Sequence, residues 1–505
     1  MRRALTPPAD GSPKAAARPA TPPPPPPLPP SQSLFGIEAD LVAITSVYFV
    51  QGALGLSRLA VSFFLKDELG LDAAQMALLS GAASFPWLIK PLWGFLSDSV
   101  PIFGSRRRSY LVLCGGLGAV GWTALATPGV VSTPGAALAA LMATSLATAA
   151  SDVVVDSLVV ERARGEAAEK AGGLQSLCWG SSAVGSVASA YFSGSLVQAW
   201  GPRAVFALTA AFPLVTAAVA PLVRDAPLPQ PLPAGGGEAP SGIGASAVAA
   251  QARRLWAAAQ TRSIWLPALF LFFWQASPSP DAAMFFFTTE ELRFTPEFLG
   301  RARLAGALAS LAGVGLYNAK LKAVPIKRIF RTTTLLGCAL GLTQLILVTG
   351  LNRQWGISDQ LFALTDTVVL TVLGQVAFMP TLVLAARICP EGVEATLFAA
   401  LMSVFNAAGV ASGALGAALT AALHVGTAAG APEGTPPDFA NLPLLILICN
   451  FAGLLPLPFL FLLDEVPGLA DAEATKASVD ARAGGADNAA DVEMTRPPTD
   501  DDKSD

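Results

Sequence analysis

The chain has 505 residues, of which 53% are hydrophobic and 13% are charged, and its mean hydropathy is +0.54. This composition excludes an ordinary soluble domain and indicates an integral membrane protein. The net charge of -4 hides an uneven distribution, because residues 464–505 hold twelve acids against four bases.

The chain begins with a leader, residues 1–38, that lacks the features of a folded element. Six consecutive prolines at 22–27 favour a polyproline conformation. Residues 1–33 carry four bases and one acid, Asp10. An acid-poor leader with arginines is typical of organelle transit peptides, although this one is rich in proline rather than serine. We expect a disordered leader, and whether it is a transit peptide stays open.

Apolar runs of about 20 residues, the length that crosses a bilayer, occur twelve times, and we number them spans 1 to 12. Spans 1 to 6 form a predicted N-terminal lobe at 39–223. A soluble loop at 224–262 precedes a C-terminal lobe at 263–463, and an acidic disordered tail follows at 464–505. This all-α layout is typical of two-lobed transporters. The spans are expected at 40–65, 73–97, 109–128, 136–160, 172–198, 203–223, 263–287, 297–317, 328–350, 361–387, 394–424 and 442–463.

Basic residues predict the orientation of the chain. The even-numbered loops between spans carry sixteen lysines and arginines, whereas the odd-numbered loops carry four. Because basic loops stay on the cytosolic side, we expect the even-loop face, and with it both termini, to be cytosol-like or stromal.

Two carboxylates, Asp152 and Asp156, lie four residues apart in the apolar span 4 and therefore share one helical face. An acid near the centre of a membrane helix costs about 2.5 to 3.5 kcal/mol, so such residues face water or a partner charge rather than lipid. This pair indicates a protein that moves a solute across a membrane.

Little in the sequence favours catalysis, metal binding or a cofactor. His424 is the single histidine, and the five cysteines are far apart in apolar runs, as expected of small buried side chains. We therefore expect no enzyme, metal, cofactor or nucleic-acid partner. A polytopic membrane enzyme and a sensor that uses the acidic tail stay open as less favoured alternatives.

Several motifs carry a family resemblance. Gly94-x-x-x-Asp98 followed by Arg106, Arg107 and Arg108 resembles the loop between helices two and three of the major facilitator superfamily. Longer strings resemble the folate-biopterin transporter family, particularly its plant, algal and cyanobacterial branch, over about 36–463. These strings are YFVQGALGLSRLAV at 48–61, PWLIKPLWGFLSD at 86–98, SDVVVDSLVVERAR at 151–164, FTPEFLGR at 294–301, GLNR at 350–353 and CPEGVEATLF at 389–398.

The resemblance implies a major facilitator fold that carries folates or related pterins by alternating access, with a proton as the expected coupling ion. Another organic anion stays open as the cargo. The resemblance also implies a multi-pass, monomeric protein of the plastid envelope. The plasma membrane and other organelle membranes are alternative locations.

Folates join a pterin head with hydrogen-bond donors to an anionic glutamate tail, so a site for them needs a carboxylate and cations. Arg58 is the leading cation, with Gln51 on the same face of span 1. The alternative for Arg58 is an internal ion pair with Asp152 or Asp156.

Lys90, between two prolines of span 2, is expected either to contact substrate or to pair internally. Asp152 and Asp156 are candidates for binding pterin, carrying the coupled proton, or neutralising Arg58 and Lys90; Asp156 also lies near the charged exit of span 4.

In the second half, two prolines interrupt span 7 beside Gln275 and Asp281, and broken membrane helices point to binding sites. Trp179 is a candidate for stacking on the pterin ring, with packing or lipid contact as the alternative.

Charged residues at the even-loop face are expected to form ion pairs that gate the cavity, with topogenic anchoring as the alternative. They are Asp98, Arg106, Arg107, Arg108, Glu161, Arg162 and Arg387.

Overall fold

The computed structural model of the chain describes residues 33–34, 37–163, 168–225, 260–322, 324–387, 394–426 and 437–465. Most of the predicted leader, central loop and acidic tail lies outside the described residues, so the disorder expected there stays a prediction. Within the described ranges most residues belong to helices, which confirms the all-α expectation.

Helices occupy the positions of all six spans in the first half. Span 1 runs without interruption, although its geometry changes from α to 3₁₀ to α and ends in a π segment. The helices are Ala39–Ala53, Leu54–Leu56, Ser57–Phe63 and Phe64–Glu68 in span 1; Ala73–Ala83, Phe85–Leu88 and Lys90–Ser99 in span 2; Arg108–Ala126 in span 3; Pro134–Ala163 in span 4; and Ala168–Thr209, Ala211–Val219 and Ala220–Leu222 in spans 5 and 6.

The second half repeats this arrangement, and span 7 also ends in a π segment. The helices are Arg262–Gln275, Asp281–Phe286 and Phe287–Glu291 in span 7; Pro296–Leu316 and Tyr317–Leu321 in span 8; Ile326–Gly341 and Gln344–Val348 in span 9; Asp359–Arg387 in span 10; Glu394–Ala422 in span 11; and Leu442–Ala452 and Leu457–Glu465 in span 12, with a short helix, Leu351–Gln354, before span 10.

Among the described residues, eight helical stretches are long and apolar enough to cross a bilayer. One of them, Ser176–Leu222, contains both span 5 and span 6, because the chain bends at Gly201, whose φ of 78° suits glycine. Arg203 beyond the bend donates to the Val131 carbonyl at the odd-loop face (3.1 Å), whereas Val223 accepts from Arg108 at the even-loop face (2.5 Å). Spans 2, 7 and 8 are not among these eight stretches, so their crossing of the membrane stays a prediction.

Proline interrupts span 2. Pro91 has no N–H and cannot donate to the carbonyl of Trp87, four residues earlier in the helix. The Asn406 amide, on span 11 of the other half, donates to that carbonyl instead (3.2 Å). The carbonyl that the proline leaves without its helical partner is therefore hydrogen-bonded by a residue of the other half.

Span 7 is interrupted in the same way between Gln275 and Asp281, where Pro278 and Pro280 occur. Ser412 of span 11 donates its hydroxyl to the carbonyl of Ser277 (2.5 Å). Span 11 therefore donates a hydrogen bond to the break in each of the two spans.

The start of span 1 is held at the even-loop face. Ser33–Leu34 and Ile37–Glu38 form a two-residue antiparallel pair, so the end of the predicted leader differs from the disorder expected up to residue 38. Glu38 and Asp40 form ion pairs with Arg162, at the exit of span 4, and with Arg224, after span 6. These pairs tie three segments of the first half together.

Both halves contain apolar cores, and the largest cluster of the first half extends to Phe286 of span 7. Phe64, Leu125 and Phe206 are fully buried in the first half, with the rings of Phe64 and Phe206 edge to face at 5.5 Å. Phe270 and Phe330 form the same kind of contact in the second half, with ring centroids 5.4 Å apart.

The halves meet most closely where span 5 crosses span 8. Gly194 and Gly300 face each other so closely that a Cβ built on Gly300 would lie 2.5 Å from the Cα of Gly194. Two glycines at such a crossing let backbones approach as in other membrane helix pairs. Lys66 of span 1 also forms an ion pair with Glu290 of span 7, at the odd-loop face.

We expect Gly300→Ala to lower the melting temperature of the purified protein in detergent, because the added methyl group has no space at the crossing. Gly315→Ala is the matched control on the same helix: nothing lies within 4 Å of its Cβ position. Alanine favours a helix over glycine by about 0.5 to 1 kcal/mol, so the control should melt at or above the wild-type temperature. Equal melting of the two variants would contradict the close crossing.

Candidate functional site

Two adjoining cavities lie between the halves and share the lining residues Ser62, Asp281 and Phe285. Their volumes are ≈ 700 and ≈ 810 Å³, and we call them together the central cavity. Both are lined by residues from spans on either side of the central loop. A site formed in this way changes shape whenever the halves move.

One end of the central cavity is cationic. Arg58, in the Ser57–Phe63 helix of span 1, is exposed and lines the ≈ 700 Å³ cavity together with Arg303 of span 8. Arg303 donates from Nη2 to the carbonyl of Gly55 across the boundary between the halves (3.4 Å). Gln51 lines the same cavity, and its amide nitrogen is buried without a hydrogen-bond partner among the described residues. This end therefore offers donors and positive charge.

The other end is aromatic and amide-rich. Trp87, Phe378 and Phe405 line the ≈ 810 Å³ cavity, and the two phenylalanine rings lie edge to face at 5.4 Å. Gln275 and Asn406 line it as well. Flat apolar surfaces with a few amide groups suit a heteroaromatic ring.

Asp281 lies where the two cavities adjoin. It opens the Asp281–Phe286 helix directly after the proline break, and its backbone N–H donates to the Ser279 hydroxyl (3.2 Å). The carboxylate has no ion-pair partner in the described part of the chain. It is thus available to accept hydrogen bonds from a ligand that reaches both ends.

Lys90 and Asp152 form an ion pair with each other in the first half, with both side chains mostly buried. The Lys90 ammonium also lies over the ring of Trp87, 5.3 Å from its centroid. The alternative of internal pairing therefore describes Lys90 in this structure, and neither residue of the pair lines the central cavity. Trp87 separates the pair from it.

Asp156, one turn further along span 4, accepts a hydrogen bond from the hydroxyl of Tyr48 on span 1 (2.5 Å). Like Asp152, it lies outside the lining of the central cavity. Arg58 pairs with neither carboxylate, so the internal pair considered for Arg58 is absent from the described contacts.

The residues predicted to gate connect segments of one half. Arg107 forms an ion pair with Glu161 (2.6 Å) and donates to Ser97 (3.2 Å), which joins the loop after span 2 to the exit of span 4. Asp225, after span 6, accepts from the backbone N–H of Arg107 (3.1 Å). The network therefore holds the even-loop face of the first half as one body.

Three of the residues predicted to gate the cavity, Asp98, Arg106 and Arg387, are not part of this network as the structure describes it. Arg106 buries its Nε with no hydrogen-bond partner among the described atoms. Asp98 and Arg387 lie at the ends of helices, and their side chains are outside the described residues.

Trp179, predicted as a stacking residue, lies outside the lining of the central cavity in this structure. It is 62% exposed. Ser186, two turns further along span 5, does line it. At 1.5 Å per residue Trp179 is about 10 Å along the helix from that serine, towards the even-loop face. The aromatic surface comes instead from Trp87, Phe378 and Phe405.

Arg303, Phe378, Phe405 and Asn406 were not among the residues predicted to form the site. Arg303 could have been found, because an arginine inside a predicted membrane span is a functional candidate by default. Asn406 could have been found in the same way, because it is an amide inside a predicted span. Phe378 and Phe405 are apolar residues in membrane helices, where the sequence pattern does not distinguish cavity from lipid.

Comparison with solved structures defines the class. The fold is similar to the nucleoside transporter NupG, with a TM-score of 0.58 at 13% identity over 84% of this chain and 98% of that one. It is similar also to a POT family transporter in complex with 5-aminolevulinic acid, with a TM-score of 0.62 at 14% identity over 87% and 98% of the two chains. The chain thus has the major facilitator fold of membrane transporters, as its loop motif suggested.

Sequence comparison defines the family. The chain belongs to the BT1 family, whose model matches residues 51–483. It is 51% identical over 430 residues to the folate-biopterin transporter of Synechocystis sp., covering 84% of this chain and 81% of that protein. It is 32% identical to probable folate-biopterin transporter 2 of Arabidopsis thaliana, over 84% and 82% of the two chains. The family resemblance is confirmed, and the chain is a membrane transporter rather than an enzyme.

The Lys90–Asp152 pair makes a stability prediction. Removing one partner leaves a largely buried charge alone, which costs about 3 to 5 kcal/mol, whereas removing both leaves an apolar contact. Lys90→Met and Asp152→Leu should therefore each lower the melting temperature in detergent. The double variant should melt near the wild-type temperature, and additive losses in the double variant would show that the pair is not coupled.

Proposed function

We propose that this protein carries folates or related pterins across a membrane as a secondary active transporter that works by alternating access and is coupled to protons. The observation that carries the proposal is the central cavity, with arginines at one end, aromatic rings at the other and Asp281 between them. The named relatives are consistent with the same cargo.

The chemistry of the two ends matches the two ends of a folate. A pterin presents a ring N–H beside an exocyclic amine, which a carboxylate such as Asp281 accepts in pairs. Trp87 and Phe405 supply the apolar surface for the ring, while Arg58 suits a carboxylate of the tail through its guanidinium fork. Each of the two adjoining cavities, ≈ 810 and ≈ 700 Å³, lies within the range for small-molecule sites, about 300 to 1,000 Å³, and together they leave room for a ligand that occupies both.

Alternating access is supported by where the halves touch. Lys66 pairs with Glu290 across the boundary at the odd-loop face, and Gln198 accepts from the backbone N–H of Glu297 (3.1 Å) beside the Gly194–Gly300 crossing. In the proposed cycle these contacts close the odd-loop face in this state and break when the halves rock to the other state.

Proton coupling is proposed for Asp156. Protonating Asp152 would leave Lys90 without its partner, which is costly, whereas Asp156 has a hydroxyl partner that can either donate or accept. The sequence pattern ranked Asp152 first. The contacts of the two carboxylates favour the second one.

For location we propose the plastid envelope, supported by the acid-poor leader and by the resemblance to plant-type members. Even loops on the stromal or cytosol-like face are supported by the charge bias. A monomer is proposed because the central cavity is complete within one chain.

The function test is counterflow in proteoliposomes. Vesicles loaded with unlabelled folate should take up labelled folate from outside when they contain the purified protein and not when they are protein-free. Labelled biopterin should exchange in the same assay. Vigorous exchange of another organic anion, together with no exchange of either pterin compound, would overturn the proposed cargo.

The coupling test is Asp156→Asn, which is nearly isosteric but cannot titrate. It should abolish accumulation of folate driven by a pH gradient yet retain exchange, because exchange does not require the empty, deprotonated carrier to return. Tyr48→Phe is the matched control, since it removes the hydrogen bond and keeps the titratable group. It should keep accumulation with a shifted pH profile, and unchanged accumulation in Asp156→Asn would exclude Asp156 as the proton carrier.

A further inference from the structure

The cationic end of the central cavity is built from both halves. Arg58 belongs to span 1 and Arg303 to span 8, and both line the same ≈ 700 Å³ volume. Arg303 reaches the carbonyl of Gly55, three residues before Arg58, in the 3₁₀ segment Leu54–Leu56. The two guanidinium groups are therefore neighbours although their helices lie in different halves.

Neither arginine is neutralised by the protein within the described ranges. Arg58 has no ion-pair partner there, and Arg303 has only the long contact to a neutral carbonyl (3.4 Å). Asp281 lines the same cavity without pairing with either. Two neighbouring cations that share one cavity repel each other, and an anion bound between them removes that repulsion.

The rest of this end is small and hydroxylated. Ser186, Ser189, Thr367 and Thr371 line it, together with the glycines at 52, 55 and 306. Short side chains leave room beside the arginines. The Ser186 hydroxyl can donate to a lone pair of an anion that the two guanidinium forks leave free, whereas the other three hydroxyls donate to backbone carbonyls. The surroundings thus suit an anion with several oxygens rather than a hydrophobic group.

We propose that Arg303 and Arg58 together bind the two carboxylates of the glutamate tail, which makes Arg303 a specificity-determining residue for dianionic cargo; this rests on the proposed function. Two forks match two carboxylates, whereas a single carboxylate leaves one cation uncompensated. The protein should then prefer folate over pteroate, which has one carboxylate, and over biopterin, which has none.

The same geometry ties substrate to the movement of the halves. A dianion held by Arg58 and Arg303 bridges span 1 and span 8, and a neutral pterin at the aromatic end does not complete that bridge. Occupancy of the cationic end therefore favours the state in which these two helices are close.

The chain supplies a matched control two residues away. Arg301 lies on the same helix but is 73% exposed on its side chain, and it pairs with Glu297 at the surface. Replacing it removes the same charge from the same helix without touching the cavity. Comparing the Arg301 and Arg303 variants therefore distinguishes the effect of losing one positive charge from the effect of losing a contact with the ligand.

The test measures binding of folate, pteroate, biopterin and 4-aminobenzoylglutamate, the tail half of folate, to the purified protein by calorimetry. Arg303→Gln should weaken folate and 4-aminobenzoylglutamate by at least about tenfold, since charged hydrogen bonds are worth this much or more. Binding of pteroate to the Arg303→Gln variant should weaken less than that of folate, and binding of biopterin by less than about twofold. The Arg301→Gln variant should bind all four compounds with the affinity of the wild type. Arg303→Lys, which keeps the charge and loses the fork, should be intermediate, and it replaces the glutamine variant if that one does not fold.

Equal weakening of folate and biopterin by Arg303→Gln would overturn the proposal and assign Arg303 a structural role through Gly55. No weakening of folate would overturn it as well. If the wild type bound 4-aminobenzoylglutamate but neither folate nor biopterin, the dicarboxylate site would stand and the proposed cargo would fail.

Discussion

A charge inside the hydrocarbon of a membrane must find a partner or a water-filled space, and this constraint organises the described helices. Lys90 and Asp152 satisfy it by pairing inside the first half. At the odd-loop face, Lys66 and Glu290 form an ion pair across the boundary between the halves. Arg58 and Arg303 are left facing a cavity. The helices that carry them touch where Arg303 reaches the carbonyl of Gly55, and the space beside the two guanidinium groups is one that an anion can fill.

Backbone groups obey the same constraint. The proline breaks in spans 2 and 7 release carbonyls that would be costly in lipid, and Asn406 and Ser412 of span 11 take them up. Because both donors, Asn406 and Ser412, line the cavity, the segments that lose regular helix lie at its wall. Span 11 thereby joins the two broken spans and fixes the position of Trp87 and Asp281.

The sequence predicted what depends on local pattern and missed what depends on tertiary placement. Apolar length located the helical segments, and Gln275 and Asp281, beside the prolines of span 7, line the central cavity. The sequence did not show which cation pairs with Asp152, because both Lys90 and Arg58 were candidates. The packing of the helices brings Lys90 to it. Trp179 failed for the opposite reason: its residue type suited stacking, but the position along span 5 put it beyond the cavity. Phe378 and Phe405 carry no local signal in a membrane helix, where apolar residues face lipid, neighbour and cavity alike.

The π segments Phe64–Glu68 and Phe287–Glu291 end the first span of each half, at equivalent positions. A π turn holds one residue more than an α turn. Deleting one residue from either segment would rotate everything beyond it by about 100° around the helix axis. Lys66 and Glu290, one in each segment, would then no longer face each other, so the ion pair between the halves depends on both π segments.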